Sequence, residues 1–323
     1  MKTWHKVVIV FMVIALAAGF IWYDAGHIAP KRYTTRYVSL EDKKIPEQLN
    51  DMNILFFSDL DYGTFMNEER LNTLIDKINE VSPDAVIFGG DLYDENVTAT
   101  EDSNNIIKKA FEKIQAPYGK FAVYGDNDDA SVEMKSSVND IYASSDFEVL
   151  NNTSLFLHKK GSNSITLVGL DNGLNGKQDV QNAYANVSDN NYVIAICHTP
   201  DSVAVVPEDL TDYFLAGHSH GGQAYYFFSA LYTPAMANEY LRGKHEIDGQ
   251  FTLDITNGVG TTKEDIRFLA NAEVVVYQLH HTEEKTQKKK ATPAPSASET
   301  PSSTPQSESD AAEQTQQEST GNE

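Results

Sequence analysis

Five fragments of this chain set carboxylates and imidazoles directly after apolar, strand-like runs: Ser58-Asp59-Leu60-Asp61, Gly90-Asp91-Leu92-Tyr93-Asp94, Gly125-Asp126-Asn127-Asp128, Cys197-His198 and Gly217-His218-Ser219-His220-Gly221-Gly222-Gln223. Carboxylate oxygen and imidazole nitrogen are the donors that divalent cations take from proteins. Two such cations a few ångströms apart can clamp the attacking and leaving oxygens of a phosphoester. The layout therefore points to two-metal phosphoester chemistry. Taken singly each fragment is weak, because aspartates two apart are common in turns and a histidine after a strand is usually a surface or core residue. Their shared position carries the reading.

That position follows from the elements around them. Asn53 to Phe57 has the pattern of a strand, Asn67 to Glu80 carries Leu71, Leu74, Ile75 and Ile78 at helical spacing, and Asp84 to Phe88 has the pattern of a second strand. A helix over Asn105 to Ile114 leads to a strand over Lys120 to Tyr124. This βαβαβ succession predicts an α/β fold of layered, partly parallel sheets flanked by helices. The runs Ile165 to Gly169, Tyr192 to Cys197, Tyr213 to Ala216 and Val274 to Leu279 extend it. Ligand groups in such folds gather at the carboxyl ends of strands, where every one of the five fragments is expected.

In these motifs the chain resembles the calcineurin-like metallophosphoesterases. Within them it is similar to membrane-anchored bacterial phosphodiesterases of the type that includes the UDP-2,3-diacylglucosamine hydrolases. The resemblance spans about residues 51–281 and follows the series Asp-x-His, Gly-Asp-x-x-Asp, Gly-Asn-His-Asp, His and Gly-His-x-His. Gly217 to Gln223 looks like that branch's Gly-His-Thr-His-Gly-Gly-Gln; Asp146 to Asn152, Gly258 to Gly260 and Ile266 to Phe268 look like its connecting segments. The resemblance implies that Asp59 and His220 hold one metal, that His198 and His218 hold the other, and that Asp91 bridges them under a shared hydroxide. Asp94 would orient a ligand or close its turn.

Three positions depart from the pattern. Asp61 stands where the family has a histidine ligand, Asp126 where it has an asparagine ligand, and Asn127 where it has the histidine that protonates the leaving group. Both aspartates can still ligate a hard cation. With Asp59, Asp61, Asp91, Asp126 and a hydroxide all anionic, five negative charges face the four of two divalent cations, which weakens phosphate capture. The oxygen-rich donor set favours Mn²⁺ or Mg²⁺, with Fe²⁺ or Zn²⁺ admissible. Asn127 has no acidic proton near neutral pH, so roughly 10²–10⁴-fold of general acid catalysis is expected to be lost on poor leaving groups. Asp128, which in the family supports that histidine, becomes an acceptor for Asn127 or a nearby backbone amide.

Composition narrows the partners. The formal net charge of −22 argues against a sequence-independent grip on nucleic acid or on an anionic lipid surface, since phosphate binding needs clustered Lys and Arg. The single cysteine, Cys197, permits no intramolecular disulfide and has the setting of a buried strand residue. Residues 1–6 are read as a cytoplasmic N-terminus and Val7 to Tyr23 as an apolar span. A cleaved signal peptide or a retained anchor fits that length. Phe20-Ile21-Trp22 continues the run past the small residues Ala15-Leu16-Ala17, which favours the anchor with the remaining chain outside the cell membrane. Residues 24–50 are expected to be a linker, 51–281 the globular domain, and 282–323 a disordered Ser/Thr/Pro/Gln-rich tail. Two functions are open at this point: a metal-dependent phosphoesterase of weakened activity on a phosphorylated small molecule or lipid-linked envelope substrate, or a silent descendant that binds metal or a phosphorylated ligand.

Overall fold

The computed structural model describes residues 3–159 and 161–283. Its core is two six-stranded sheets laid face to face. The first has the order β1-β14-β2-β3-β4-β5, with β1 Thr34–Asp42, β2 Met52–Phe57, β3 Ala85–Phe88, β4 Lys120–Ala122, β5 Phe147–Val149 and β14 Glu273–His281. The second has the order β12-β13-β9-β8-β7-β6, with β6 Thr153–Leu157, β7 Ile165–Gly169, β8 Val193–Ile196, β9 Tyr213–Ala216, β12 Gly243–Ile247 and β13 Phe251–Ile255. A small hairpin, β10 Tyr225–Tyr226 with β11 Ser229–Ala230, stands apart from both. Strands β2 to β5 run parallel, as do β7, β8, β9 and β13, so each sheet has its functional strand ends on one side.

Between the sheets Ile54, Phe56, Val275 and Tyr277 meet Leu167, Ile194, Ile196 and Leu215 in one apolar cluster. On its other face the first sheet is covered by α2 Glu68–Val81, α3 Glu101–Phe111 and α4 Val132–Ser144, following the N-terminal helix α1 Thr3–Tyr23. Asn67 caps α2 by accepting from the Arg70 amide, and Leu71, Leu74, Ile75 and Ile78 form its buried stripe, as their spacing predicts. Helix α3 starts four residues before its expected start because Thr100 and Ser103 form a reciprocal capping box. The apolar signal that locates it from sequence begins only at Ile106. Helix α4, capped by Ser131, lies outside the expected elements; Met134, Val138, Ile141 and Tyr142 form its buried face.

The expected linker over 24–50 is corrected. Residues 34–42 form β1, paired in parallel with β14 from Thr34↔Glu273 to Asp42↔His281, and Ile45 and Leu49 are fully buried. Val38 and Leu40 face the core while Tyr37, Ser39 and Glu41 face outwards, a two-residue alternation that marks a half-buried strand. The domain therefore begins well before residue 51. Arg36 of β1 also ties the two sheets together. Its guanidinium pairs with the buried Asp254 of β13 at 2.9 Å, and Tyr213 and Tyr277 donate to the same carboxylate at 3.2 and 3.0 Å.

Helix α1 has no buried residue, and among the described residues it is the one helix long and apolar enough to cross a membrane. A turn over Asp24–Ile28 brings its end onto the domain, where Ala25 and Ala29 are buried and the Ala25 carbonyl accepts from the Arg267 amide at 2.9 Å. Of the predicted tail, 284–323 lies outside the described residues.

Since β1 completes the edge of a sheet, truncation at residue 51 is expected to abolish cooperative urea unfolding, whereas truncation at residue 24 keeps it. A sharp transition in the shorter chain, followed by circular dichroism, would contradict the assignment of β1 to the domain.

Candidate metal centre

The two sheets deliver their side chains to one place. Asp59 and Asp61 follow β2, Asp91 follows β3, Asp126 follows β4, His198 follows β8, and His218 and His220 follow β9. Backbone bonds lace the loops together: the amides of Leu60 and Asp61 donate to the Asp91 carbonyl, and the Asp59 amide donates to Gly90. Five of these seven residues, Asp59, Asp61, Asp91, His218 and His220, have φ between 49° and 68°. Left-handed backbone is uncommon outside glycine and collects at sites where conformation serves function. The approach is close enough to dictate glycine at Gly90 and Gly125: a Cβ on Gly90 would lie 2.3 Å from the Gly125 nitrogen, and one on Gly125 would lie 2.0 Å from Asp91 Oδ1.

Within the centre the donors fall into two adjoining groups. Donor atoms of Asp91, Asp126, His198 and His218 all lie within 4.8 Å of one another. His198 Nε2 is 3.1 Å from Asp91 Oδ2 and 3.3 Å from Asp126 Oδ1, and His218 Nδ1 is 2.9 Å from Asp126 Oδ1. Beside them His220 Nε2 lies 3.4 Å from Asp61 Oδ2 and 3.8 Å from Asp59 Oδ1. The groups touch where His198 Nε2 comes within 3.9 Å of Asp59 Oδ1.

The donor atoms themselves test whether cations fit. Asp59 Oδ2, Asp61 Oδ2, Asp126 Oδ1 and His198 Nε2 are buried without a well-formed hydrogen bond. Buried polar atoms are nearly always satisfied, so four orphans in one place call for a ligand. The Nδ1 of His198 faces the Gly89 carbonyl at 2.7 Å, and the Nε2 of His218 faces the Ala235 carbonyl at 2.7 Å. Those carbonyls take the imidazole protons and turn the opposite nitrogen's lone pair inwards, as in metal-ligating histidines. A cation between lone pair and carboxylate satisfies both.

The electrostatics agree. Burial, then the neighbouring Asp91, Asp59 and Asp94, push the Asp61 carboxyl well above its ordinary range; burial and Asp126 raise Asp91. Asp126 is driven the other way: burial would raise it, but the imidazoles of His198 and His218 beside it hold it far below the carboxylate range. Burial would lower His198, yet Asp91, Asp126 and Asp59 lift it well above its usual value, and Asp126 likewise raises His218. His220, buried and repelled by Arg267 despite Asp59, falls to about 4. The cluster is starved of positive charge.

The supporting residues divide clearly. Asp128 is fully buried and accepts from the amides of Asp91, Leu92 and Gly125 at 3.0, 2.9 and 2.8 Å, clasping the β3 and β4 loops together. Burial and Asp91 push its carboxyl up to about 7. Asp94 closes its own turn through the Asn96 amide and accepts from the Thr64 hydroxyl at 2.7 Å. The Asn127 amide donates to Asp91 Oδ1 at 2.9 Å, so its backbone fixes that carboxylate.

Two residues at the site had no role assigned from sequence, Arg267 having entered only within the matching segment Ile266 to Phe268. Arg267 is buried, donates to the carbonyls of His220, Gly258, Gly260 and Ala270, and remains cationic although burial lowers it to about 10. It sets a fixed positive charge behind Asp59 and Asp61. Tyr232 packs edge-on against His220, with ring centroids 5.4 Å apart, and carries the Lys263 ammonium 5.1 Å above its ring. Burial and the four site carboxylates push its hydroxyl far above the phenol range, so it keeps its proton as a donor.

The model of the calcineurin-like phosphoesterases matches residues 52–222, more than half of the chain and the stretch from β2 to the end of the His218-His220 loop. The chain belongs to that family. Its members are metal-dependent phosphoric ester hydrolases. The metallophosphoesterase YkuE of Bacillus subtilis is 28% identical over 269 residues, covering 83% of this chain and 93% of that protein. A transmembrane protein with a metallophosphoesterase domain from Danio rerio is 22% identical over 249 residues, covering 73% of this chain and 55% of that protein. Among solved structures, the calcineurin-like phosphoesterase YfkN of Bacillus subtilis aligns over 70% of this chain and 90% of its own with a TM-score of 0.39 and 14% identity.

Four carboxylates forced together in a dry site should make cation binding a large part of folding stability. Saturating Mn²⁺ at about 100 Kd stabilises by ~2.7 kcal/mol per site, so chelation is expected to lower the thermal midpoint by several degrees. An identical midpoint with and without chelator, measured by scanning calorimetry, would contradict the fit.

Proposed function

We propose that this phosphoesterase is a membrane-anchored hydrolase of phosphodiesters or pyrophosphates, acting outside the cell membrane with reduced general acid power. The observation that carries the reading is the set of orphaned donor atoms of Asp59, Asp61, Asp126 and His198 at the ends of β2, β4 and β8. In this reading Asp91, Asp126, His198 and His218 would hold one divalent cation, and Asp59, Asp61 and His220 a second, with Asp91 shared. Mn²⁺ or Mg²⁺ suits so oxygen-rich a set. Bound there, the pair supplies Lewis acidity to the phosphoryl group and activates the nucleophile.

The chain's own residues do the rest. His198 and His218 keep their lone pairs aimed inwards because their distal nitrogens are committed to carbonyls. Asp91 is held by the Asn127 amide, and the loop that bears it is held by Asp128. Arg267 offsets part of the negative surplus from behind. What the chain lacks is an acid at Asn127, so departing alkoxides must take their proton from water or from the substrate itself. Esters with good leaving groups and anhydrides are therefore the favoured substrates. The apolar, exposed α1 supports the anchor, and the anchor supports an envelope substrate, soluble or lipid-linked.

Hydrolysis of bis-p-nitrophenyl phosphate by the full chain should require Mn²⁺, and Asp91→Ala should remove it by at least about 10³-fold. Metal-independent turnover, or turnover that survives the substitution, would overturn the proposal. Asn127→His is expected to raise kcat on an unactivated alkyl phosphodiester by roughly 10²-fold while changing the p-nitrophenyl ester little. Equal effects on both esters would show that proton supply is not what Asn127 limits.

A further inference from the structure

We propose that the β10–β11 hairpin is a second membrane contact, which dips Phe227 and Phe228 into the bilayer beside the end of α1. This rests on the anchored reading above. The two phenylalanines form the hairpin's turn and are 97% and 101% exposed, the most exposed large apolar residues described in the chain. Tyr226 and Leu231 beside them and Leu269 near the hairpin's base are exposed too. Contiguous apolar surface of this kind marks a contact site. The backbone adds an independent sign: Phe227 has φ 59°, in a tight turn that ordinarily takes Asn or Gly. A bulky aromatic held left-handed at full exposure is a strained choice with no return from packing inside the domain.

The bilayer is the occupant that the surroundings favour. Tyr226 lines an apolar cavity with Ala18, Ile21, Trp22, Ile266 and Phe268, so the hairpin and the last turns of α1 share one surface. The base of the hairpin is fixed by the bridge from Ala224 to Phe268 and by the Tyr225 amide donating to the Phe268 carbonyl at 3.1 Å. The preceding residue, Arg267, donates its amide to the Ala25 carbonyl just beyond α1. A cation sits at the base of the hairpin, where the Arg242 guanidinium lies 4.1 Å over the Tyr225 ring. Aromatic rings with basic residues beside an apolar helix end are the composition of a membrane interface.

The hairpin is also wired to the metal centre. It follows His220-Gly221-Gly222-Gln223 directly, and a Cβ on Gly222 would come within 2.8 Å of both Ala230 Cβ and Tyr225 Oη. Docking the tip would therefore hold the mouth of the site at headgroup level. A phosphoester whose lipid tail stays in the membrane could then reach it.

The full chain in phosphatidylethanolamine and phosphatidylglycerol vesicles tests this, with an environment-sensitive NBD probe on Phe228→Cys and, as reference, on Ser162→Cys in the exposed turn between β6 and β7. Cys197 is buried and stays unlabelled. The expected result is blue-shifted emission at 228 with several-fold stronger quenching by spin-labelled lipid than at 162. Equal, water-like emission at both positions would overturn the proposal, as would protection at 228 that follows protein density and ignores the lipid quencher, which would make the occupant a second copy. A double variant, Phe227→Ser with Phe228→Ser, should leave bis-p-nitrophenyl phosphate turnover unchanged and raise the apparent KM for a lipid-linked phosphodiester by about tenfold or more. Unchanged KM on the lipid substrate counts against docking even where turnover persists. A quenched probe at 228 in a chain without turnover supports docking while sinking the phosphoesterase reading.

Discussion

Everything at the working end of this molecule depends on one imbalance: four aspartates share a dehydrated space with too little positive charge to hold them there. Like charges in a dry site repel strongly, and removing each carboxylate from water costs several kcal/mol more. The protein supplies part of the answer through Arg267, whose guanidinium is fixed by four carbonyls behind Asp59 and Asp61. Asp59 Oδ2 and Asp61 Oδ2 nevertheless stay buried without a partner, and the positive charge they lack is what divalent cations would supply.

The architecture is arranged to impose that imbalance. Two parallel strand sets place their carboxyl ends on the same rim, and the tie of Arg36, Asp254, Tyr213 and Tyr277 keeps the two sheets in fixed relation below it. Loops on the rim then adopt left-handed backbone at five of seven donor residues, a cost that the sheet scaffold sustains. Asp61 and Asp126 sit within this frame among the crowded carboxylates, and the Asn127 backbone holds Asp91 in it.

How much of this the sequence disclosed depends on the range of the interaction. The strands before Asp59, Asp91, Asp126, His198 and His218 were legible because each is a short apolar run stopped by a polar residue, a local signal. Helix α2 was legible for the same reason, and α3 only from Ile106 onwards because its start is set by a Thr-Ser cap. Strand β1 was missed because its alternation is short and lies between an apolar helix and a polar stretch, and its partner β14 is more than 200 residues away. Asp128 was expected to accept from a backbone amide, but that it clasps three amides on two loops is a tertiary fact. Arg267 showed only as part of the matching segment Ile266 to Phe268 and Tyr232 not at all, since a buried arginine and a rim tyrosine gain their roles only from what folds against them.

The central claim is that carboxylates and imidazoles from both sheets hold a bridged pair of cations. Electron paramagnetic resonance of the full chain titrated with Mn²⁺ tests it most directly. The account predicts saturation at two ions per chain, with an exchange-coupled spectrum that Asp91→Ala converts to that of isolated ions. A spectrum of isolated ions in the unaltered protein, or no bound manganese at all, would contradict it.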